Sequence, residues 1–465
     1  MSDTFADLDA HLAAHAEARL ADYLDFLRIP SISALPEHAP DMRAAAAFLA
    51  ERLRRAGLEH VAVEETGGHP VVYADWLHAD GAATALVYAH YDVQPVDPLD
   101  LWEKPPFDPR VEGGRVYARG AADDKAQIHL HVAAAEAWLS VRGALPLNLR
   151  YVFEGEEESG SVHLDGWLEA NRERLGADVA VVSDTGFFDG NIPAITIGLR
   201  GMMYAQVDVS GPHVDLHSGQ FGGTVENPAT ALATIIAGLH DAEGRVAIPG
   251  FYDAVRPLTE RDRAELARLP FDEDAYRREM GVPALTGEAG YTILERRGAR
   301  PTLDVNGIWG GFQGEGAKTI IPAHAHAKVS CRLVPDQDPL AIYALFRDRV
   351  LALAPRGVRV EVGLINRGRP SLTPIDHPAT RAAAACVKDV FGSEPLYIRE
   401  GGSVPVAASF ESILGQPVVL LGFAPPDDHA HSPNESMRLD NYDGGVRTIV
   451  RYWAALAHLE PAGAP

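Results

Sequence analysis

The sequence has few cysteines, no long hydrophobic run and fewer basic than acidic residues. Its 465 residues include only Cys331 and Cys386, too few for a disulfide framework or a thiolate zinc site, which fits a reducing compartment. No apolar run approaches the ~18–20 residues of a membrane span. The first residues lack a basic segment followed by an apolar one. We therefore expect a soluble cytoplasmic protein without a membrane partner.

The charge balance argues against a polynucleotide partner. Lys and Arg total 41 against 65 Asp and Glu, a formal net charge of -24. Nucleic-acid binders need a basic patch, and no basic run exceeds pairs such as Arg54–Arg55. Hydrophobic residues at 46% and charged residues at 23% are typical of soluble globular proteins and exclude a coiled coil, a collagen or a disordered chain.

Helix-like and strand-like segments alternate in the first two hundred residues. The apolar spacing predicts helices over Leu8–Leu27, Met42–Ala56 and Lys125–Ser140. Between and after them lie strand-like runs with the sequences VAVEE, VVYADW, ALVYAHYDV, LRYVF and ADVAVV. This alternation predicts an α/β domain with a largely parallel sheet flanked by helices.

The pattern changes after Gly201 and later returns. The following segments predict a smaller α+β unit. They are an alternating strand (MMYAQVDVSG), a helix over Pro228–Leu239, an irregular charged stretch over 244–316, one or two strands in KTIIPAHAHAKVSCRLVP and a helix over Pro339–Leu353. The α/β pattern resumes with a helix from Ala379 to about Val390, the strand QPVVLLGF and a helix over Gly444–Leu459. We predict a catalytic domain made of residues 1–201 and 375–465, interrupted by an inserted domain over 202–374.

Histidines and carboxylates follow several of the predicted strands. In open α/β sheets, ligands bind beyond the carboxyl ends of the strands. His90 and Asp92 follow ALVYA, and residues two apart in an extended segment point the same way. Either they face one ion, or His90 is a strand-end histidine bonded to a nearby carboxylate. Asp184 follows another buried strand.

Three further segments concentrate polar groups, and each has a simpler interpretation. Asp123 and Asp124 could bind a cation, or they could be the acidic start of a helix. The four carboxylates Glu154, Glu156, Glu157 and Glu158 follow a core-like strand, which argues against a purely solvated loop. In DDHAHSPNE, His429 and His431 could be ligands or ordinary loop residues.

Together these segments indicate a metal site of nitrogen and oxygen ligands. Such a set without thiolate suits Zn²⁺, Mn²⁺ or Co²⁺ in hydrolysis better than structural zinc. More than four candidate ligands suggest two ions roughly 3.5–4 Å apart. We expect Zn²⁺ first, with Mn²⁺ and Co²⁺ as alternatives.

An ordered set of motifs also carries a family resemblance. These motifs are ALVYAHYDVQPVDP, RGAADDKAQ, EGEEESGS, VVSDTG, DLHSG, GAKTIIP, CRLVPDQDP, REGGSVP and DDHAHSPNE. The chain resembles, over nearly its whole length, the M20 family of co-catalytic metallopeptidases. AHSPNE, LHSG and REGGSVP favour the branch of cytosolic nonspecific dipeptidases and carnosine dipeptidases.

The resemblance implies a role for each matching residue of the metal site. His90 and Asp184 would bind one ion, Glu158 and His431 the other, and Asp123 would bridge both. Asp92 would hydrogen-bond His90, and the peptide between Asp123 and Asp124 would be cis. Glu157 would be the general base. It would take a proton from a water that bridges the metals and so turn that water into a hydroxide.

The resemblance also implies how a peptide is recognised. His217 would stabilise the oxyanion from the other subunit of a homodimer, paired through the inserted domain, which also serves as a lid. Arg332 would bind the free C-terminal carboxylate of a small peptide substrate, with Thr319, Gly402 and Ser403 as accessory donors. Carnosine dipeptidases carry a histidine where this chain reads INRGRPSL, so Asn366 or nothing replaces it.

Three hypotheses remain open at this point. The first is a dinuclear metallodipeptidase, and the second is a related amidohydrolase that removes the acyl group of N-acyl amino acids. The third, a binding protein on this scaffold without activity, is disfavoured because Glu157 and all expected ligands are present. Assays of dipeptides beside N-acetyl and N-succinyl amino acids separate the first two.

Overall fold

The computed structural model describes residues 4–402 and 405–459, which form two compact units. The first unit contains the described residues up to Ile197, the segment Thr373–Ile398 and the described residues from Val406 onward. The second contains Gly198–Leu372 and a short segment that begins at Arg399. That residues 202–374 form a dimerisation domain stays a prediction.

A mixed sheet forms the centre of the first unit. Its strands are β1 (Glu59–Glu64), β2 (Val71–Trp76), β3 (Thr84–His90), β6 (Asn148–Glu154), β7 (Val179–Val182), β8 (Ala194–Leu199), β16 (Leu396–Glu400) and β17 (Val418–Leu420). The order is β1-β2-β6-β3-β7-β17-β8-β15, where β15 is the two-residue strand Ser371–Leu372, and β16 also pairs with β8. The four neighbours β6, β3, β7 and β17 are parallel, while β1, β2 and β8 pair antiparallel. The prediction of an α/β unit with a helix-flanked sheet is confirmed, with the parallel part confined to the centre.

Helices cover this sheet and bury its apolar residues. They are α1 (Ala6–Ala14), α2 (Ala16–Leu27), α3 (Ala39–Arg55), α4 (Lys125–Arg142), α5 (Leu164–Ala170), α12 (Pro378–Phe391), α13 (Pro405–Ser409) and α14 (Leu439–Leu456). A small sheet of β4 (Arg110–Glu112), β5 (Arg115–Tyr117) and β18 (Ser436–Arg438) lies in the same unit. Helix α4 is alanine-rich and buried over most of its length, and α14 packs against both α4 and α12.

Three helix predictions of the first unit need correction. The last helix, predicted near Gly444–Leu459, begins five residues earlier at Leu439, because the pair Gly444–Gly445 lies inside the helix rather than at its start. The single helix predicted over Leu8–Leu27 is two helices, because His15 between them departs from helical geometry with φ -108° and ψ 13°. The second predicted helix begins at Ala39 rather than Met42, since Pro40 fits the first turn, where a missing N–H costs nothing.

The second unit is built on the four-stranded antiparallel sheet β11-β13-β9-β14. Its strands are β9 (Gly201–Ser210), β11 (Thr302–Gly310), β13 (His324–Leu333) and β14 (Arg359–Gly368), and three short strands are β10 (Leu216–His217), β12 (Ile320–Ile321) and β15 (Ser371–Leu372). The helices are α6 (Ser218–Phe221), α7 (Pro228–Ala237), α8 (Glu260–Ala267), α9 (Glu273–Glu279), α10 (Ile293–Gly298) and α11 (Pro339–Leu353). Alternate residues of β9 are buried under α7 and α11, as the alternation predicts.

The stretch over 244–316 is more ordered than the sequence indicated. It contains α8, α9, α10 and the whole of β11. Strand β9 is paired on both sides, so the edges of the sheet are β11 and β14. Within the described part of the chain, no helix combines the length and apolarity needed to cross a bilayer.

Candidate metal centre

The centre of the first unit's sheet gathers the predicted ligands at one edge. Strand β3 ends at His90, β6 leads into a short turn over Glu157–Ser159, and Asp184 follows β7. Because these three strands are parallel neighbours, their carboxyl ends meet at the same edge. The topology therefore explains why residues far apart in sequence lie together.

The candidate ligands form two groups of three. One contains His90, Glu157 and Asp184, and the other contains Asp123, Glu158 and His431, with the donor atoms of each group within 4.8 Å of one another. The Oδ1 atom of Asp123 lies 3.0 Å from His90 Nε2, and its Oδ2 atom lies 3.0 Å from His431 Nε2. One carboxylate thus faces both groups.

The state of the His90 imidazole fits a metal ligand. Its side chain is 0% exposed, and its Nε2 atom has no hydrogen-bond partner among the residues that the structure describes. The neighbouring oxygens of Asp123 and Asp184 lie 3.0 and 3.9 Å away. A buried nitrogen that faces carboxylates without hydrogen-bonding geometry is suited to share a cation with them.

The clustered carboxylates and imidazoles of the site also favour bound cations. Burial raises the pKa of Glu157 well above its usual range, and the nearby carboxylates of Asp184 and Glu158 add to the rise. Hydrogen bonds with Asp123 and Glu158 raise the pKa of His431 to about 10. Divalent cations would reverse both effects, because they favour ionised carboxylates and neutral imidazole.

Asp92 connects the histidine to the turn that carries the two glutamates. Its carboxylate accepts hydrogen bonds from Glu158 N at 3.0 Å, Glu157 N at 3.3 Å and Ser33 Oγ at 2.6 Å. His90 Nδ1 lies 3.1 Å from the main-chain oxygen of Asp92 and 3.4 Å from its carboxylate. Asp92 therefore orients the turn as well as the histidine.

The four glutamates after β6 have different surroundings. Tyr88 donates its hydroxyl hydrogen to Glu154 Oε2 at 2.5 Å, and burial raises the pKa of Glu154 to about 8. Glu156 contacts His163 Nδ1 at 2.8 Å. Of the four, only Glu157 and Glu158 lie in the ligand groups.

The loop before α4 is held by a distant glutamate, Glu435, to which the sequence assigned no role. Glu435 is 0% exposed, and its carboxylate accepts the N–H groups of Gly120 at 2.8 Å, Ala122 at 2.8 Å and Asp123 at 3.1 Å. Arg119 Nη1 donates to it at 2.8 Å. Its place in the HSPNE motif was the only signal in the sequence. The peptide between Asp123 and Asp124 is cis, as the resemblance implied.

His217 and Thr319, two of the residues predicted to contact the substrate, are neighbours in the second unit. His217 is exposed at the end of β10, which pairs with β12, and its Nδ1 atom accepts the N–H of Gly219 at 3.0 Å. Thr319 is exposed directly before β12, and its carbonyl accepts the N–H of Ser218 at 3.1 Å.

The structure describes only some of the residues predicted to bind the substrate's carboxylate. Arg332 lies on β13 opposite Met202, and Gly402 is exposed. Ser403 lies outside the described residues. Asn366 is exposed on β14 and its side chain accepts the N–H of Arg367, while His429 of the first unit is exposed.

Comparison with known proteins gives a family match over most of the chain. Residues 86–455 match the model of peptidase family M20/M25/M40. A Cys-Gly metallodipeptidase of Candida albicans is 34% identical over 447 residues, which cover 92% of each chain. The human Beta-Ala-His dipeptidase is 33% identical over 395 residues, covering 84% of this chain and 78% of the human one.

A solved structure is similar over the same extent. An M20 family metallo-carboxypeptidase from Sulfolobus solfataricus matches with a TM-score of 0.84 and 34% identity, covering 95% of this chain and 99% of the other.

Proposed function

The chain belongs to peptidase family M20/M25/M40, whose members are hydrolases that act on peptide bonds, and we propose that it is a two-metal dipeptidase. Its substrates would be dipeptides or short peptides with a free C-terminal carboxylate. The names of the similar proteins from Candida albicans and human, a Cys-Gly metallodipeptidase and a Beta-Ala-His dipeptidase, support this substrate class.

The observation that carries the proposal is the position of Asp123. Its two carboxylate oxygens lie 3.0 Å from the Nε2 atoms of His90 and His431, one on each side. We assign His90 and Asp184 to one divalent cation, Glu158 and His431 to a second, and Asp123 to both. Two cations at close range repel each other, and an anion between them offsets that repulsion.

The first unit's residues would carry out the proton transfers. When bound, the cations polarise the scissile carbonyl and make water a stronger acid. A carboxylate oxygen of Glu157 then takes the proton from the attacking water and returns it to the leaving amine. Asp92 fixes the glutamate in place by accepting the main-chain N–H groups of Glu157 and Glu158 at 3.3 and 3.0 Å.

The second unit would recognise the substrate. We assign the C-terminal carboxylate to the Arg332 guanidinium, with Thr319, Gly402 and Ser403 as further donors, and the oxyanion to His217 of a second subunit. Strand β11, at the edge of its sheet, exposes Val305 by 39%, Ile308 by 58% and Trp309 by 38%. An exposed apolar edge strand supports pairing between two copies of the chain.

A reconstitution experiment with a substrate panel tests the proposal. Protein stripped of metal by a chelator is reloaded with Zn²⁺, Mn²⁺ or Co²⁺, and dipeptides are assayed beside N-acetyl and N-succinyl amino acids. We expect dipeptide hydrolysis that depends on the added metal, with Zn²⁺ as the first expectation. Faster cleavage of the acylated amino acids would instead favour an amidohydrolase of the same family.

Metal content tests the bridging role of Asp123 separately. We expect elemental analysis to find two ions per chain in the reloaded protein and at least one fewer in Asp123→Ala, because the bridging anion is gone. Asp189→Ala, which removes an exposed carboxylate from the same unit, serves as the control and should keep both ions. Two ions in Asp123→Ala would contradict the assignment.

A further inference from the structure

The last two residues of β16 and the two glycines after it, residues 399–402 and here called the glycine loop, contact the charged stretch over 244–316 of the second unit. This loop contains Gly402, assigned above to the substrate's carboxylate. From Arg399 onward its described residues are grouped with the second unit rather than the first. Most of its contacts within that unit come from the charged stretch over 244–316, to which the sequence assigned no function.

The first contact is an ion pair at the start of the loop. The Arg399 guanidinium donates to Asp262 Oδ1, and the two side chains are only 11% and 22% exposed. The other oxygen of Asp262 accepts hydrogen bonds from Thr259 N at 2.9 Å and Thr259 Oγ1 at 2.7 Å, in the capping box that begins α8. The cap fixes the carboxylate, and the carboxylate in turn fixes Arg399.

The second contact is a close approach by the end of α10. A Cβ atom on Gly298 would lie 2.5 Å from the carbonyl oxygen of Arg399 and 2.7 Å from its Cβ atom. No side chain fits there unless the loop backbone moves. Helix α10 is tied to α8 by an ion pair between Glu295 and Arg263, so the two contacts belong to one assembly.

The third contact reaches the residue before Gly402. Arg200 N donates to the carbonyl of Glu400 at 3.3 Å, and Arg200 Nε donates to the carbonyl of Gly401 at 3.4 Å. A Cβ atom on Gly401 would lie 2.7 Å from Arg200 Nη2 and 3.2 Å from the carbonyl oxygen of Arg297. The backbone is therefore restrained from Arg399 up to Gly401.

We infer that Asp262 and Gly298 are positioning residues that set the loop's backbone for the substrate's C-terminal carboxylate. The inference rests on the proposed function. Neither residue is assigned a contact with the substrate; each acts through Arg399 and the backbone that follows it. A loop displaced by an ångström would misplace its donors for a carboxylate while leaving the metal site of the first unit unchanged.

The test compares a dipeptide with the same dipeptide carrying a C-terminal amide. For Gly298→Ala and Asp262→Asn in the metal-loaded full chain, we expect kcat/KM for the free dipeptide to fall about tenfold or more, mainly through KM. Cleavage of the amide, measured at high enzyme concentration, should change little, so the preference for the free carboxylate falls. Gly363→Ala is the matched control, because its Cβ would meet open space on β14.

Each outcome separates this inference from the proposed function. If wild-type protein cleaves no dipeptide, the proposed function is wrong, and the inference that rests on it is wrong as well. If wild-type protein cleaves dipeptides and both variants keep its preference for the free carboxylate, the inference is overturned alone. If Gly298→Ala does not fold, Asp262→Asn decides, since it keeps the shape of the side chain while removing the charge that faces Arg399 and one of the two acceptor oxygens.

Discussion

The two units hold their candidate functional residues in different ways. In the first unit, His90 and Asp92 are 0% exposed, and every predicted ligand lies in one of two compact groups. In the second, His217, Thr319 and Gly402 are exposed, and the contacts of His217 and Thr319 are with neighbouring main-chain atoms. A buried polar group must be satisfied by its own chain or by a bound ion, whereas an exposed one can await a substrate or a second subunit.

The comparison suggests a division of labour between the units. The first unit is already assembled for chemistry, because its acids and imidazoles are oriented before any substrate arrives. The second unit offers donors whose use depends on what binds to them. Variants of the first unit should therefore affect proton transfer or the metal, and variants of the second should affect the contacts made with a bound substrate, including those with its developing oxyanion. Three predictions test this division.

The largest effect is expected from Glu157→Gln. The amide cannot take a proton, while its shape and the main-chain hydrogen bond to Asp92 at 3.3 Å are retained. We expect kcat to fall roughly 10⁴-fold, the upper end of what proton transfer contributes, with both ions still bound. Steady-state kinetics and elemental analysis on the same sample measure this.

Glu156→Gln is the matched control for this variant. Glu156 directly precedes Glu157 in the chain, and its carboxylate contacts His163 rather than the ligand groups. Its activity should stay close to wild type. Near-normal turnover of metal-replete Glu157→Gln would sink the assignment of the general base.

The next effect concerns His217, which would connect the second unit of one chain to the chemistry of another. His217→Ala should lower kcat about 10²–10³-fold, the usual effect of losing one oxyanion donor. A mixed dimer of His217→Ala and Glu157→Gln chains contains one site with both groups intact. That dimer should regain up to about half of wild-type activity, because one of its two symmetric sites is complete.

The mixed dimer requires tagged chains and a control histidine. Heterodimers are isolated with two different affinity tags and assayed against each parent. His213→Ala changes another exposed histidine of the same segment and should leave activity near wild type. If isolated heterodimers form and no activity returns, His217 does not act across the dimer.

The same contrast explains what the sequence could predict. His90 and Asp184 follow buried apolar strands, so their position at the edge of a parallel sheet follows from the pattern alone. The chemistry of His217 and Arg332 came only from the family resemblance, because an exposed histidine and a strand arginine carry no local signal. Strand β14 was missed although VRVEVGL alternates, and β11 was missed because Asn306 and Gly307 interrupt its strand-like pattern.

Long-range polar contacts were the other part that sequence reasoning could not predict. Glu435 lies in a quoted motif, yet its partners are main-chain N–H groups of a loop more than three hundred positions earlier. Backbone donors have no side-chain signature, so no pattern could pair them with this glutamate. Asp262 and Arg399 are likewise brought together only by the fold.

The smallest of the three effects is expected from Glu435→Gln. The amide replaces one carboxylate oxygen by an NH₂ group, which would then face N–H donors from either Gly120 or Ala122 and Asp123. One side of the loop before α4 should lose its acceptor, and Asp123 should be held less precisely between the two ligand groups. Groups that support metal ligands in this way typically affect metal affinity by about 10–100-fold, so we expect a weakening in that range. Titration of the stripped protein with Zn²⁺ in a competing chelator measures it, and Glu394→Gln, which alters an exposed glutamate paired with Lys388, is the control. Unchanged zinc affinity in a folded Glu435→Gln protein would contradict this role of Glu435. The ligand groups of the first unit would then keep their geometry through the strands of the central sheet alone.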